Sequence, residues 1–153
     1  MSANMTKVKK IAAIVGGSSD EVETAFYEAL QNADLERLMA CWADEDEVVC
    51  VHPGGPRMVG LGAIRSAFEA MFNNGSIRVR PEGVRKIEAL GSAVHSVRER
   101  IELLTPEGPM EAVVITTNVY HKTAQGWRLV AHHASPGNAR EPHDVTEISP
   151  VLH

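Results

Sequence analysis

The stretch Thr116–Pro136, TTNVYHKTAQGWRLVAHHASP, decides how this chain folds. Two runs of β-branched, aromatic and apolar residues flank the short polar segment at Thr123–Gly126, as in a hairpin. The polar groups Asn118, Tyr120, His132, His133 and Ser135 stand on strands that otherwise have the composition of a core. Ionisable groups among apolar neighbours on a sheet face are the usual lining of a pocket. In a strand, neighbours point to opposite faces. Asn118 and Tyr120 therefore share one face, whereas His132 and His133 must separate, and the sequence leaves open which of them turns inward.

Upstream, the same period of two continues. Ile77 and Val79 alternate with Arg78 and Arg80. Val84–Leu90 and Ala93–Leu104 flank Gly91-Ser92, which has the composition of a two-residue turn. Pro106–Pro109 separates this hairpin from the next, Met110–Lys122 and Trp127–Ser135. In the strand over 93–102, Ala93, His95, Val97, Glu99 and Ile101 form the more apolar face, which places His95 and Glu99 inside. A buried carboxylate requires a partner or holds its proton to an unusually high pH.

The N-terminal half follows a helical period. Val22, Ala25, Phe26, Ala29, Leu30 and Ala33 line one face over residues 20–33, and Ser18 with Glu21 three residues on has the spacing of a capping box. Asp34 caps a second helix carrying Leu35, Leu38, Met39 and Trp42. A short strand at Val48–His52, the turn Pro53–Pro56 and a returning strand at Arg57–Val59 precede a third helix from Leu61 to Phe72, ended by Asn73-Asn74-Gly75. Helices first and strands afterwards indicate an α+β protein, with three helices under a curved antiparallel sheet whose open end leaves a cavity.

Composition narrows the function classes. The 153 residues, 44% hydrophobic and 23% charged, suit one soluble domain, and the net charge of −5 argues against a nucleic-acid binder. Six of the 15 basic residues fall between Arg78 and Arg100 and are read as a solvated strand face. Cys41 and Cys50 belong to no CxxC pair and are expected to be reduced and packed, as in a cytoplasmic protein. No apolar run reaches the ~20 residues that span a bilayer, so no membrane role is expected. Residues 1–18 are read as a flexible extension, and 137–153 as an extended tail. IleValGlyGlySerSer at 14–19 fits neither a Walker loop nor a dinucleotide fingerprint, and GxSxG and HExxH are absent. Neither a metal nor another cofactor is expected.

The element order, together with Thr117-Asn118-Val119-Tyr120-His121, Trp127 and His132-His133 with Ser135, resembles the nuclear transport factor 2-like superfamily. Within it, the chain is similar to SnoaL-like and ketosteroid-isomerase-like proteins and to the association domain of calcium/calmodulin-dependent protein kinase. The resemblance covers about residues 20–136, within a domain spanning 19–136. It implies a cystatin-like cone and a homodimer through the sheet. Asn118 stands where the association domain has a pocket arginine, and Glu99 falls near a second, so an anion pocket of that kind is not expected. Asp44 and Asp46 lie in a polar loop and do not reproduce the steroid-isomerase site. The expected function is the binding of a small molecule in the cone, with acid–base chemistry of isomerase or hydrolase type. His52, Glu99, Tyr120 and His133 are the candidate catalytic groups, and Trp42, His95, Asn118 and His132 the candidate ligand contacts. In that scheme Tyr120 and Asn118 hold an oxyanion while a histidine or Glu99 moves the proton. The alternative is a non-catalytic, homodimerising association or ligand-sensing module.

Overall fold

A computed structural model describes residues 16–147. Helix α1 spans Ser19–Asn32, α2 Leu35–Ala40 and α3 Leu61–Phe72. The strands are β1 (Val49–Val51), β2 (Arg57–Val59), β3 (Arg78–Glu88), β4 (Ser92–Thr105), β5 (Gly108–Thr123) and β6 (Gly126–Pro136). They form one six-stranded sheet in the order β2-β1-β6-β5-β4-β3. The expected α+β architecture is present, with one difference. The sheet is mixed, because β1 runs parallel to β6 while every other pairing is antiparallel. The long connection from β1 to β6, through β2, α3 and three strands, permits the parallel pairing that a tight hairpin cannot make.

Local chemistry sets the ends of the helices. The Ser18 hydroxyl accepts the Glu21 N–H at 3.1 Å, satisfying one of the free donors of the first turn. The Glu21 carboxylate reaches back to the Gly17 N–H at 3.2 Å, one residue beyond the usual capping-box partner. Asp34 caps α2 through the Arg37 N–H at 3.1 Å. This helix is shorter than its apolar spacing suggests. It stops at Ala40 because β6 takes the next backbone groups: the Leu129 N–H donates to the Cys41 carbonyl at 2.8 Å, and the Ala43 N–H to the Leu129 carbonyl at 2.9 Å.

Two irregularities bend the long strands. A bulge between Glu82 and Arg85 joins the stretches around Val79 and Val84 into one strand, and Gly83 supplies the positive φ of 57° there. A second register shift between β5 and β6 pairs Val119 with Ala131 but Tyr120 with Leu129, leaving Val130 as the extra residue. The β3–β4 turn centres on Leu90-Gly91, one residue earlier than expected, with the Ala89 N–H donating to the Ser92 carbonyl at 2.8 Å. Pairing between β4 and β5 continues through Pro109, which faces Leu104.

The core lies between the helices and the inner face of the sheet, around Phe26, Leu38, Ile64, Phe68, Val97 and Leu129. Burial of such side chains stabilises the fold by about 1.5–3 kcal/mol each. Beyond Pro136 the chain has no regular element up to residue 147 and crosses the outer face of the sheet. There Asp144 pairs with Arg85 and Arg98 at 2.8 and 3.0 Å. Most of the N-terminal extension and the last six residues of the tail lie outside the described residues. Both cysteines are buried free thiols.

Candidate functional site

One stripe of helix α1 carries the polar groups of the interior. Ser19, Glu23 and Tyr27 follow one another at intervals of four and so share a face. They meet the inner face of β4 and β5, where His95, Glu99, Asn118 and Tyr120 point inward. Two separate hydrogen-bonded clusters result.

The first cluster is a chain of four side chains. The Tyr27 hydroxyl donates to Glu99 Oε2 at 2.6 Å. Asn118 Nδ2 donates to the Tyr27 oxygen at 3.1 Å. His132 Nδ1 lies 2.6 Å from Asn118 Oδ1. Burial raises the Glu99 pKa above the ordinary carboxylate value, with Tyr27 opposing the shift. Thr116 Oγ1 is buried without a well-formed hydrogen bond, yet the threonine also favours the charged carboxylate. Burial, reinforced by the nearby Glu99 charge, raises the Tyr27 pKa as well. Desolvation drives His132 in the opposite direction, to about 3, so its ring is neutral at pH 7.

Both ends of this chain reach one cavity of about 100 Å³, lined by Glu99, His132 and His52 among apolar side chains that include Phe68 and Met71. The cavity lies where α1, α3 and the segment after β1 approach β3, β4 and β6. His52 packs edge-on against Phe68 at 5.0 Å, and burial lowers its pKa. Its Nε2 lies 3.5 Å from Cys50 Sγ. Burial pushes the Cys50 thiol up to about 12, which makes it a poor nucleophile at neutral pH.

The side chains of the second cluster are not part of that cavity's lining. The Tyr120 hydroxyl donates to Glu23 Oε2 at 2.7 Å, and His95 Nδ1 lies 2.7 Å from the same oxygen. On its other side, His95 Nε2 is 3.3 Å from Ser19 Oγ. Burial first, and then the Glu23 charge, raise the Tyr120 pKa far above its ordinary value. At the edge of this cluster, ligand atoms of Asp20, Glu88 and His95 lie within 4.8 Å of one another. The Lys86 ammonium already pairs with Asp20 at 2.7 Å and so engages one of the three.

The eight residues singled out from the sequence therefore divide. His52, Glu99 and His132 line the cavity, with Asn118 directly behind. Tyr120 and His95 point inward as parity predicts but belong to the second cluster, so the Tyr120 hydroxyl is engaged by Glu23 and does not line that cavity. Asn118 is likewise engaged at both ends of its amide, and the oxyanion pair expected from Tyr120 and Asn118 is not formed. His133 is exposed on the opposite face of the sheet from His132. Trp42 is buried against β6, bridged to Leu129, away from the cavity. Tyr27 and Glu23 escaped the sequence reading, which places Phe68 on the buried side of the third helix but not in the site. The i, i+4 repeat of Ser19, Glu23 and Tyr27 beside the apolar stripe of α1 was the available signal for the first two.

A larger groove of about 410 Å³ runs beside β3. It is an open surface whose three arginines are already paired, Arg78 with Glu102, Arg80 with Glu82, and Arg100 with Glu82 and Glu111.

A helix-backed curved sheet with a cavity at its open end is the architecture expected of the family suggested by the β5–β6 residues. A profile of the SnoaL-like domain matches residues 20–139. The chain belongs to the SnoaL-like family. Among solved structures, a candidate calcium/calmodulin-dependent protein kinase type II association domain from Thiobacillus denitrificans is 33% identical. That match covers 81% of this chain and 98% of the other, with a TM-score of 0.73. A candidate dehydratase of the NTF2-like family from Streptomyces avermitilis is 31% identical over 77% of this chain and 93% of its own, with a TM-score of 0.69. A protein with a cystatin-like fold from Caulobacter vibrioides is similar in fold alone, at 20% identity over 80% and 89% of the two chains and a TM-score of 0.68. No curated protein matches the chain. Among the described residues, no helix is long and apolar enough to cross a membrane.

Proposed function

We propose that this SnoaL-like domain binds a small, largely apolar molecule in the cavity between His52, Glu99 and His132 and moves a proton on it, with Glu99 as the base. The observation that carries this reading is the state of Glu99. Its carboxylate is buried at the wall of the cavity, and its one well-formed hydrogen bond is to a neutral phenol. No lysine or arginine pairs with it among the described residues. Desolvation raises its affinity for a proton toward the range where a general base is most useful at neutral pH. His132, neutral and held by Asn118, orients the molecule. Such chemistry suits isomerisation or elimination beside a carbonyl, and the dehydratase candidate among the similar structures is consistent with it. Two buried, unpaired thiols fit a reducing, cytoplasmic setting.

The test is proton exchange. In D2O, with a panel of short ketones and β-hydroxy ketones, each with and without an amino group, the protein is expected to catalyse deuteration or water loss beside the carbonyl. Glu99→Gln is expected to slow this by about 100-fold or more. If no compound exchanges faster than with buffer, the catalytic part of the reading is lost.

A second reading rests on a different surface. Ile87, Val94, Val119, Ala131 and Val49 are successive partners across the sheet and form one row on its outer face. Ile87 is 76% exposed, and an apolar row of this kind is a natural homodimer surface. Similarity to an association domain favours a role in assembly. Sedimentation at micromolar concentration is expected to give a dimer, and Val119→Arg a monomer; a monomeric parent protein argues against the assembly role.

A further inference from the structure

We infer that the polar end of the molecule taken up by the cavity is a protonated amine, a short alkylammonium with its hydrocarbon part against Phe68 and Met71. The inference rests on the proposal that the cavity is a ligand site, and it specifies the class of ligand. It follows from the direction in which the four-residue chain donates. An ionised Glu99 can only accept, so the Tyr27 proton points toward it across 2.6 Å. The Tyr27 oxygen then accepts from Asn118 Nδ2. That choice fixes the amide and leaves Asn118 Oδ1 as the acceptor for His132 Nδ1–H. A neutral imidazole carries one N–H, so His132 Nε2 is a bare lone pair. Both ends of the chain that reach the cavity are thus acceptors.

The rest of the lining offers no opposing charge. It contains neither lysine nor arginine, Pro53 has no N–H to give, and His52, whose pKa burial lowers, brings a single imidazole N–H and no charge when neutral. A carboxylate or phosphate entering here meets an anion and a lone pair. A neutral alcohol brings one donor and leaves the Glu99 charge uncompensated. An alkylammonium brings three donors and a positive charge, and the Phe68 ring provides a surface that attracts cations. A metal ion is a poorer fit, because Glu99, His52 and His132 are not among the residues whose ligand atoms lie within 4.8 Å of one another. The cavity of about 100 Å³, with Leu30, Ile77, Val79 and Ile101 completing its wall, limits the hydrocarbon part to a short chain.

A same-shape series separates this inference from the reading beneath it. Isobutylamine, isobutanol and isobutyrate are titrated against the full chain, followed by the methyl resonances of Leu30, Met71, Ile77 and Ile101. The amine is expected to shift these signals and to saturate at about tenfold lower concentration than the alcohol, while isobutyrate shifts nothing. Glu99→Gln is expected to bring the amine to the level of the alcohol. The unmodified protein decides the matter if that variant does not fold. If the alcohol binds as tightly as the amine, or isobutyrate binds at all comparably, the amine is wrong and the ligand cavity stands. If none of the three moves a methyl signal, both fall.

Discussion

The two buried clusters use nearly the same parts. Each has a glutamate accepting from a tyrosine hydroxyl, at 2.6 Å for Glu99 and 2.7 Å for Glu23, and each includes a histidine. They differ in what surrounds the carboxylate. One oxygen of Glu23 takes two side-chain partners, Tyr120 and His95, and His95 is closed off in turn by Ser19. Glu99 has a single well-formed partner, and it borders empty space. A buried ionisable group is therefore not by itself a sign of function. The Glu23 cluster is a satisfied network that fixes α1 to the sheet, while the Glu99 cluster has unfilled hydrogen-bonding capacity at a cavity.

The largest effect expected from this contrast is structural. Glu23→Ala leaves the Tyr120 hydroxyl and His95 Nδ1 buried without their acceptor, at about 1–3 kcal/mol for each stranded group. Urea denaturation is expected to show a loss of about 2–6 kcal/mol, a large part of the stability of a domain this size. A loss below about 1 kcal/mol would mean that the second cluster is wet or rearranges freely, and the contrast would fail.

The cavity cluster is expected to reveal itself through pH. His132 titrates near 3 in the folded chain and near 6.5 when unfolded. Between those values the unfolded state binds the extra proton, so stability falls as pH is lowered from about 6.5 toward 3, by up to about 1.4 kcal/mol per unit. His132→Asn is expected to flatten that limb. Glu99 acts with the opposite sign. Its folded pKa lies above the ordinary 4.5, so its contribution is fully present below about 4.5 and is lost as pH rises through the folded value. Glu99→Gln is expected to gain on the parent protein as pH rises. Denaturation midpoints measured between pH 4 and 7 provide the check, and parallel curves for parent and variants would refute both assignments.

Strand parity made much of this interior legible. It placed His95 and Glu99 inward from the more apolar face of β4, and Asn118 and Tyr120 from the gathering of polar groups on one face of β5, where apolar burial alone does not choose because the neighbours Val113 and Val114 are both buried. It could not choose between His132 and His133, and the reason is local. Counting by twos from the buried Leu129 turns Ala131 and His133 inward. The extra residue Val130 resets the alternation and turns His132 inward instead. A bulge depends on the partner strand, and one strand's sequence does not reveal it. The division into two clusters was hidden for a similar reason. Tyr120 and Asn118 share a face, but Glu23 and Tyr27, one helical turn apart on α1, claim them separately.

The finest test of the contrast concerns space. Ala93 faces Tyr120 across the β4–β5 ladder beside the closed cluster, and Ala134 lines the cavity. Both are nearly inaccessible, at 1% and 4% exposure, so burial alone predicts the same response to enlargement. Valine suits a strand at both positions and adds the same two carbon atoms. Ala93 lines no part of that cavity, and overpacking there by those atoms is expected to cost about 1–3 kcal/mol. At Ala134 they enter a cavity of about 100 Å³, and the change is expected to stay within about 0.5 kcal/mol. Ala134→Val should also weaken uptake of isobutylamine, because it removes the volume the hydrocarbon end would fill. Ala93→Val should leave uptake unchanged in the fraction that folds. If urea denaturation gives equal costs for the two variants, the cavity closes in solution. The two glutamates would then differ only in their hydrogen-bond partners and not in their access to a ligand.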